Sequence, residues 1–133
     1  DDSEDALAFC QQKHDIQTHQ ISGNTLPFAD NSFDFIFAIE VIEHIEDDYT
    51  AVKELYRILK PGRYLITTVP AFMFLWGAHD ELYGHFRRYT KRRFCNLVQS
   101  AGFGVKKSRY FKLLFFLPLL ILRYAKRSTQ KQT

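Results

Sequence analysis

Residues 26–70, "LPFADNSFDFIFAIEVIEHIEDDYTAVKELYRILKPGRYLITTVP", set out a loop, a strand, an acidic switch, a helix and a second strand in unbroken order. The opening Leu26-Pro27-Phe28-Ala29-Asp30-Asn31-Ser32 is turn chemistry: proline fixes φ, and the Asp, Asn and Ser side chains bond to nearby backbone. Residues 33–39 follow as an apolar run broken only by Asp34. A run so rich in Phe and Ile predicts a strand buried on both faces of a parallel sheet. Open α/β sheets bind their ligands beyond the carboxyl ends of the strands, and that is where Glu40-Val41-Ile42-Glu43-His44-Ile45-Glu46-Asp47-Asp48 stands. A helix is predicted over 48–59, with Ala51, Val52, Leu55, Ile58 and Leu59 at helical spacing and Lys60-Pro61-Gly62 as its stop. Residues 64–69 predict a second buried strand, ended by Pro70.

The succession "LPF", "FD", "EH" and "LKPG" resembles the class I S-adenosylmethionine-dependent methyltransferases, small-molecule members in particular, over roughly residues 1–103. The resemblance implies a Rossmann-like, doubly wound α/β fold with a mostly parallel sheet ordered 3-2-1-4-5. Two departures stand out. Gly62 is followed by Arg63 where the family has a second glycine, and the family's glycine-rich cofactor loop is missing. The six glycines fall at 23, 62, 77, 84, 102 and 104. Gly102-Phe103-Gly104 follows the helix predicted over 91–101, so it reads as a helix C-cap and not as a cofactor loop. Measured against the implied sheet, the chain lacks strand 1, its first helix and nearly all of strand 2. Strand 3, near residues 16–21, then has no neighbour joining it to strands 4 and 5. Buried backbone groups need partners, so the sequence is expected to be a fragment, or to be completed by another chain.

The resemblance also implies site residues. An acidic residue after the second strand accepts hydrogen bonds from the cofactor ribose, which maps onto Asp1, with Asp2 second; the same acids also suit the start of a helix capped by Ser3. Ser22, with Gly23, stands at the adenine position, where a hydroxyl accepts more weakly than the family's carboxylate. Ile39 and Glu40 fall beside the methionine part of S-adenosylmethionine. Glu43-His44 matches "EH" on the acceptor side, as base or metal ligand or as structural support for the loop. After the second strand, Phe72, Phe74, Leu75, Trp76, His79, Asp80, Glu81, Tyr83, His85 and Arg88 form an aromatic and polar cluster. His79 is its candidate base. His79, Asp80 and His85 resemble a metal set only in composition, and with no CxxC or HExxH pattern no metal centre is expected.

The whole chain has 133 residues, 46% of them hydrophobic and 16% aromatic, which exceeds what disordered chains carry and suits one compact domain. Cys10 and Cys95 are isolated thiols that suit buried helix positions in a reducing compartment. All 15 acidic residues lie in 1–86 and 13 of the 18 basic residues in 87–133. This division lets the two halves attract one another, or draws the basic half to an anionic partner. Nucleic acid is disfavoured, because no recognition motif accompanies the charge. The ten apolar residues 113–122, "LLFFLPLLIL", are flanked by Lys112 and by Arg123, Lys126 and Arg127. They are about half a bilayer span, so they either cover the sheet or lie in an anionic membrane surface.

The reading is a partial methyltransferase domain over 1–110 with an apolar and basic segment over 111–133. Its function is S-adenosylmethionine-dependent methyl transfer to a small-molecule or lipid-like acceptor, in the cytoplasm or at a membrane periphery. The alternative is a non-catalytic methyltransferase-like partner or binding module, which would account for the missing glycine loop.

Overall fold

The computed structural model describes residues 3–13, 16–21 and 25–110. Asp1, Ser22, Gly23 and the run 113–122 therefore lie outside the described residues. Helix α1 is Glu4–Lys13, and the Ala6 N–H donates to Ser3 Oγ at 3.3 Å, the N-cap that the sequence predicts. Residues 16–21 are described but form no strand, contrary to expectation. A strand exists only as part of a ladder, and none of the described strands runs beside them.

Strand β1 is Phe33–Ile39. A short 3-10 turn, Ile42–His44, leads to helix α2, Asp48–Ile58, whose N-cap Asp47 accepts from the Thr50 N–H at 3.0 Å. Strand β2, Leu59–Thr68, runs parallel to β1. It begins five residues before the predicted start. Leu59 already pairs with Phe33, Phe35 next pairs with Tyr64, and the intervening Lys60, Pro61, Gly62 and Arg63 bulge from the ladder. Pro61 has no N–H to give, and Gly62 supplies the left-handed φ of +75° that lets the excursion close. A second 3-10 turn (Met73–Leu75), helix α3 (Ala78–Leu82) and helix α4 (Lys91–Ser100) complete the described elements.

One guanidinium fastens the loop before β1 to α2. Arg57 reaches Glu54 at 2.8 Å and Asp30 at 2.7 Å, and donates to the carbonyls of Phe28 and Leu26 at 2.8 and 3.1 Å. The Leu26 N–H returns a bond to Glu54 at 3.0 Å.

The core lies between α2, α4 and the first 3-10 turn: Ile42, Val52, Tyr89, Val98 and Ala101 are buried, with Leu55, Phe94, Leu97 and Phe103 packed against them. Helix α4 ends in a Schellman cap. Phe103 N–H donates to Val98 O and Gly102 N–H to Gln99 O, both at 3.0 Å, with Gly102 at φ +113°. That confirms the sequence reading of Gly102 as a cap. Burial of β1 on both faces is not observed. Ala38 is buried, whereas Phe35, Phe37 and Ile39 are 49, 66 and 49% exposed. The described helices cover only the opposite face of the two-stranded sheet, and β2 shows the same division in Tyr64 and Ile66, both exposed.

Candidate functional site

Parallel pairing sets the site, because Ile39 lies opposite Thr68 and both strands deliver their following loops to the same end of the sheet. The chain turns sharply there. Glu40, though not glycine, sits at φ +52°, its N–H bonded to Thr68 O at 3.1 Å and its carboxylate accepting from Thr68 Oγ1 at 2.8 Å. Phe72, in the loop after β2, is also left-handed at φ +63°. Two such residues at one end of a sheet are a local strain of the kind that the surrounding structure must hold in place.

The two loops are bonded to each other. Phe86 N–H donates to Glu43 O at 2.8 Å, and Arg87 donates to Ile45 O at 3.1 Å while pairing with Asp48 at 2.9 Å. Tyr89, 1% exposed, donates from its hydroxyl to Asp48 at 2.8 Å and anchors its backbone to Pro70 and Phe72. Burial, reinforced by the Asp48 carboxylate, pushes its phenol up.

Ile42, locked in the core, fixes the turn that carries Glu43 and His44. Glu43 is fully buried, and neither carboxylate oxygen has a hydrogen-bond partner among the described residues. Burial pushes its carboxyl up to about 7, the nearby Glu40 carboxylate adding to the rise while its own N–H and His85 oppose it. His44 is exposed, its ring edge-on to His85 with centroids 4.6 Å apart. Behind His85 lies Asp80, also fully buried. It bonds His85 Nδ1 at 2.9 Å and accepts from Arg88 at 2.7 and 3.1 Å and from Gly77 N–H at 2.9 Å. Burial alone would push the Asp80 carboxyl up, but Arg88, the Gly77 N–H and His85 outweigh it and hold it down at about 2. Asp80 therefore stays an anion and keeps His85 oriented.

The structure thus brings Glu43 and His44 together with His85. It leaves His79 exposed, its ring 4.4 Å from Tyr83 and 6.3 Å from His85. Ile39 and Glu40 stand at the carboxyl end of β1, where Glu40 bonds Thr68. Asp80, His85 and Arg88 were legible in the sequence as members of the polar cluster, but their pairing with one another was not. The available signal was three ionisable residues, five and three positions apart, in a loop otherwise rich in aromatics.

A loop-borne polar cluster at the carboxyl end of parallel strands defines an α/β ligand-binding protein, and the sequence comparisons specify which. The family model described as a methyltransferase domain matches residues 1–67, and the chain belongs to that family, the class I S-adenosylmethionine-dependent methyltransferases. S-adenosylmethionine is the cofactor of this family. Cycloartenol-C-24-methyltransferase of Arabidopsis thaliana is 53% identical over 38 residues, which are 29% of this chain and 11% of that protein. Demethylmenaquinone methyltransferase of Staphylococcus epidermidis is 29% identical over 130 residues, covering 87% of this chain and 54% of the relative. Among solved structures, a SAM-dependent methyltransferase of Thermotoga maritima superposes with TM-score 0.64 at 28% identity, over 78% of this chain and 53% of that one. The chain thus spans about half the length of such relatives or less. None of the described helices is long and apolar enough to cross a membrane.

Proposed function

We propose that this chain provides the acceptor side of a methyl transfer from S-adenosylmethionine to a small-molecule or lipid-like acceptor that must lose a proton. The observation that carries the reading is the convergence of Glu43, His44 and His85, from two loops, at the carboxyl end of the parallel strands. Ionisable groups packed at that end suit proton uptake from an O–H or an acidic C–H. Two relatives are named for cycloartenol and demethylmenaquinone, which supports an acceptor of lipid-like size.

When bound, the cofactor supplies an electrophilic methyl group, and the transfer then depends chiefly on alignment and exclusion of water. Ile39 and Glu40 would hold the methionine part through backbone and packing, the left-handed turn at Glu40 keeping that backbone in place. The proton of the acceptor leaves toward the Glu43, His44 and His85 cluster, with Asp80 engaging His85 Nδ1 and leaving Nε2 open. His44→Ala should lower turnover about 10²- to 10⁴-fold while S-adenosylhomocysteine binds with unchanged affinity. An unchanged rate would assign His44 to structure.

A further inference from the structure

The carboxylate of Glu43 is the least explained group in the molecule. It is wholly buried, and neither of its oxygens has a hydrogen-bond partner among the described residues. Burying an anion is costly unless a cation or several donors compensate it. Arg87 and Arg88, which follow His85 closely in sequence, are committed to Asp48 and to Asp80. What does face Glu43 is a pair of imidazoles. One ligand atom each of Glu43, His44 and His85 lies within 4.8 Å of the others.

His85 is built as metal-binding histidines usually are. Asp80 takes its Nδ1, which fixes the tautomer and leaves the Nε2 lone pair free. Two imidazoles with one carboxylate form a donor set suited to divalent transition metals. Ligand atoms around a tetrahedral ion with bonds of about 2.1 Å stand about 3.4 Å apart, so the set need close by little more than about an ångström. His44, the exposed member, can supply that movement.

We propose that Glu43, His44 and His85 form a binding site for one divalent transition-metal cation of the zinc or manganese kind. The cation neutralises the buried carboxylate and keeps a coordination position open on the His44 side, where the oxygen of an acceptor can reach it. There it would make the acceptor hydroxyl more acidic, and the proton would leave to water, because the cation then occupies the lone pairs that the metal-free cluster offers as a base. That catalytic consequence rests on the methyl-transfer reading, whereas the site itself is tested by binding alone, without cofactor or acceptor.

The experiment titrates Zn²⁺, and separately Mn²⁺, into the full 133-residue chain by calorimetry, with circular dichroism as a check on folding. One equivalent of at least one cation is expected to bind. His44→Ala, a change at an exposed position, and the isosteric Glu43→Gln should each weaken binding by more than about tenfold. His79→Ala, which removes a nearby histidine outside the cluster, should leave it unchanged. Absence of binding by the unaltered chain, or an affinity in either Glu43→Gln or His44→Ala that stays within about tenfold of the parent's, overturns the proposal.

Discussion

Replacing Asp80 with alanine tests how the loop after β2 is held. Asp80 has no exposed surface and accepts four bonds, at 2.9 Å from Gly77 N–H, 2.9 Å from His85, and 2.7 and 3.1 Å from Arg88. The substitution leaves Arg88, whose side chain is only 12% exposed, without its carboxylate, and frees the His85 ring. Breaking a buried pair by removing one partner costs about 3–5 kcal/mol, against about 5–15 kcal/mol for a whole domain. With a urea m-value of about 2 kcal/mol/M, the midpoint should fall by about 2 M. Trp76 is the sole tryptophan and lies one residue before Gly77, so its fluorescence reports on this loop while circular dichroism reports on the helices. Asp80→Asn retains shape and one acceptor oxygen and should fall between the two. A midpoint for Asp80→Ala within about 0.5 M of the parent would mean a loss of about 1 kcal/mol or less and would refute the claim that this ion pair organises the loop.

Gly102→Ala should destabilise the chain by about 1–3 kcal/mol in the same assay, because φ +113° excludes an L side chain and the new Cβ would meet the Tyr56 ring at 2.9 Å. Tyr56→Ala in the same chain should not restore stability, since the backbone strain remains. Glu54 gives a pH prediction. Its folded-state carboxyl is held below the ordinary value of 4.5 by the Arg57 guanidinium and the Leu26 N–H. Its contribution is therefore complete above the unfolded-state value and lost as pH falls through the folded one. Denaturation of Glu54→Gln and the parent should differ at neutral pH, and the difference should shrink steadily on acidification; a constant gap would contradict the assignment.

Local signals carried much of the fold. The apolar run after Ser32 marks β1 at its observed bounds, the spacing of Val52, Leu55 and Ile58 marks α2, and Gly102 marks the end of α4. Where neighbours decide, the pattern misled. The family resemblance implied a strand near residues 16–21, which have no described ladder partner, and Phe35 and Phe37 are apolar on a face that the described residues leave open. The site was half legible. Glu43 and His44 are adjacent in sequence and fall at a strand end, whereas His85 reaches them only because the parallel register sets both loops side by side and Phe86 bonds Glu43. No periodicity encodes that contact. The pairing of Asp80 with Arg88 depends likewise on the fold of the loop after α3.

The most direct test of the central claim, that the loops beyond β1 and β2 form a methyl-transfer site, is an amide-resolved nuclear magnetic resonance titration of the 133-residue chain with S-adenosylhomocysteine. Saturable shifts are predicted at Ile39, Glu40 and Val41, extending into Glu43 and His44. Saturable shifts confined to other parts of the chain would contradict it.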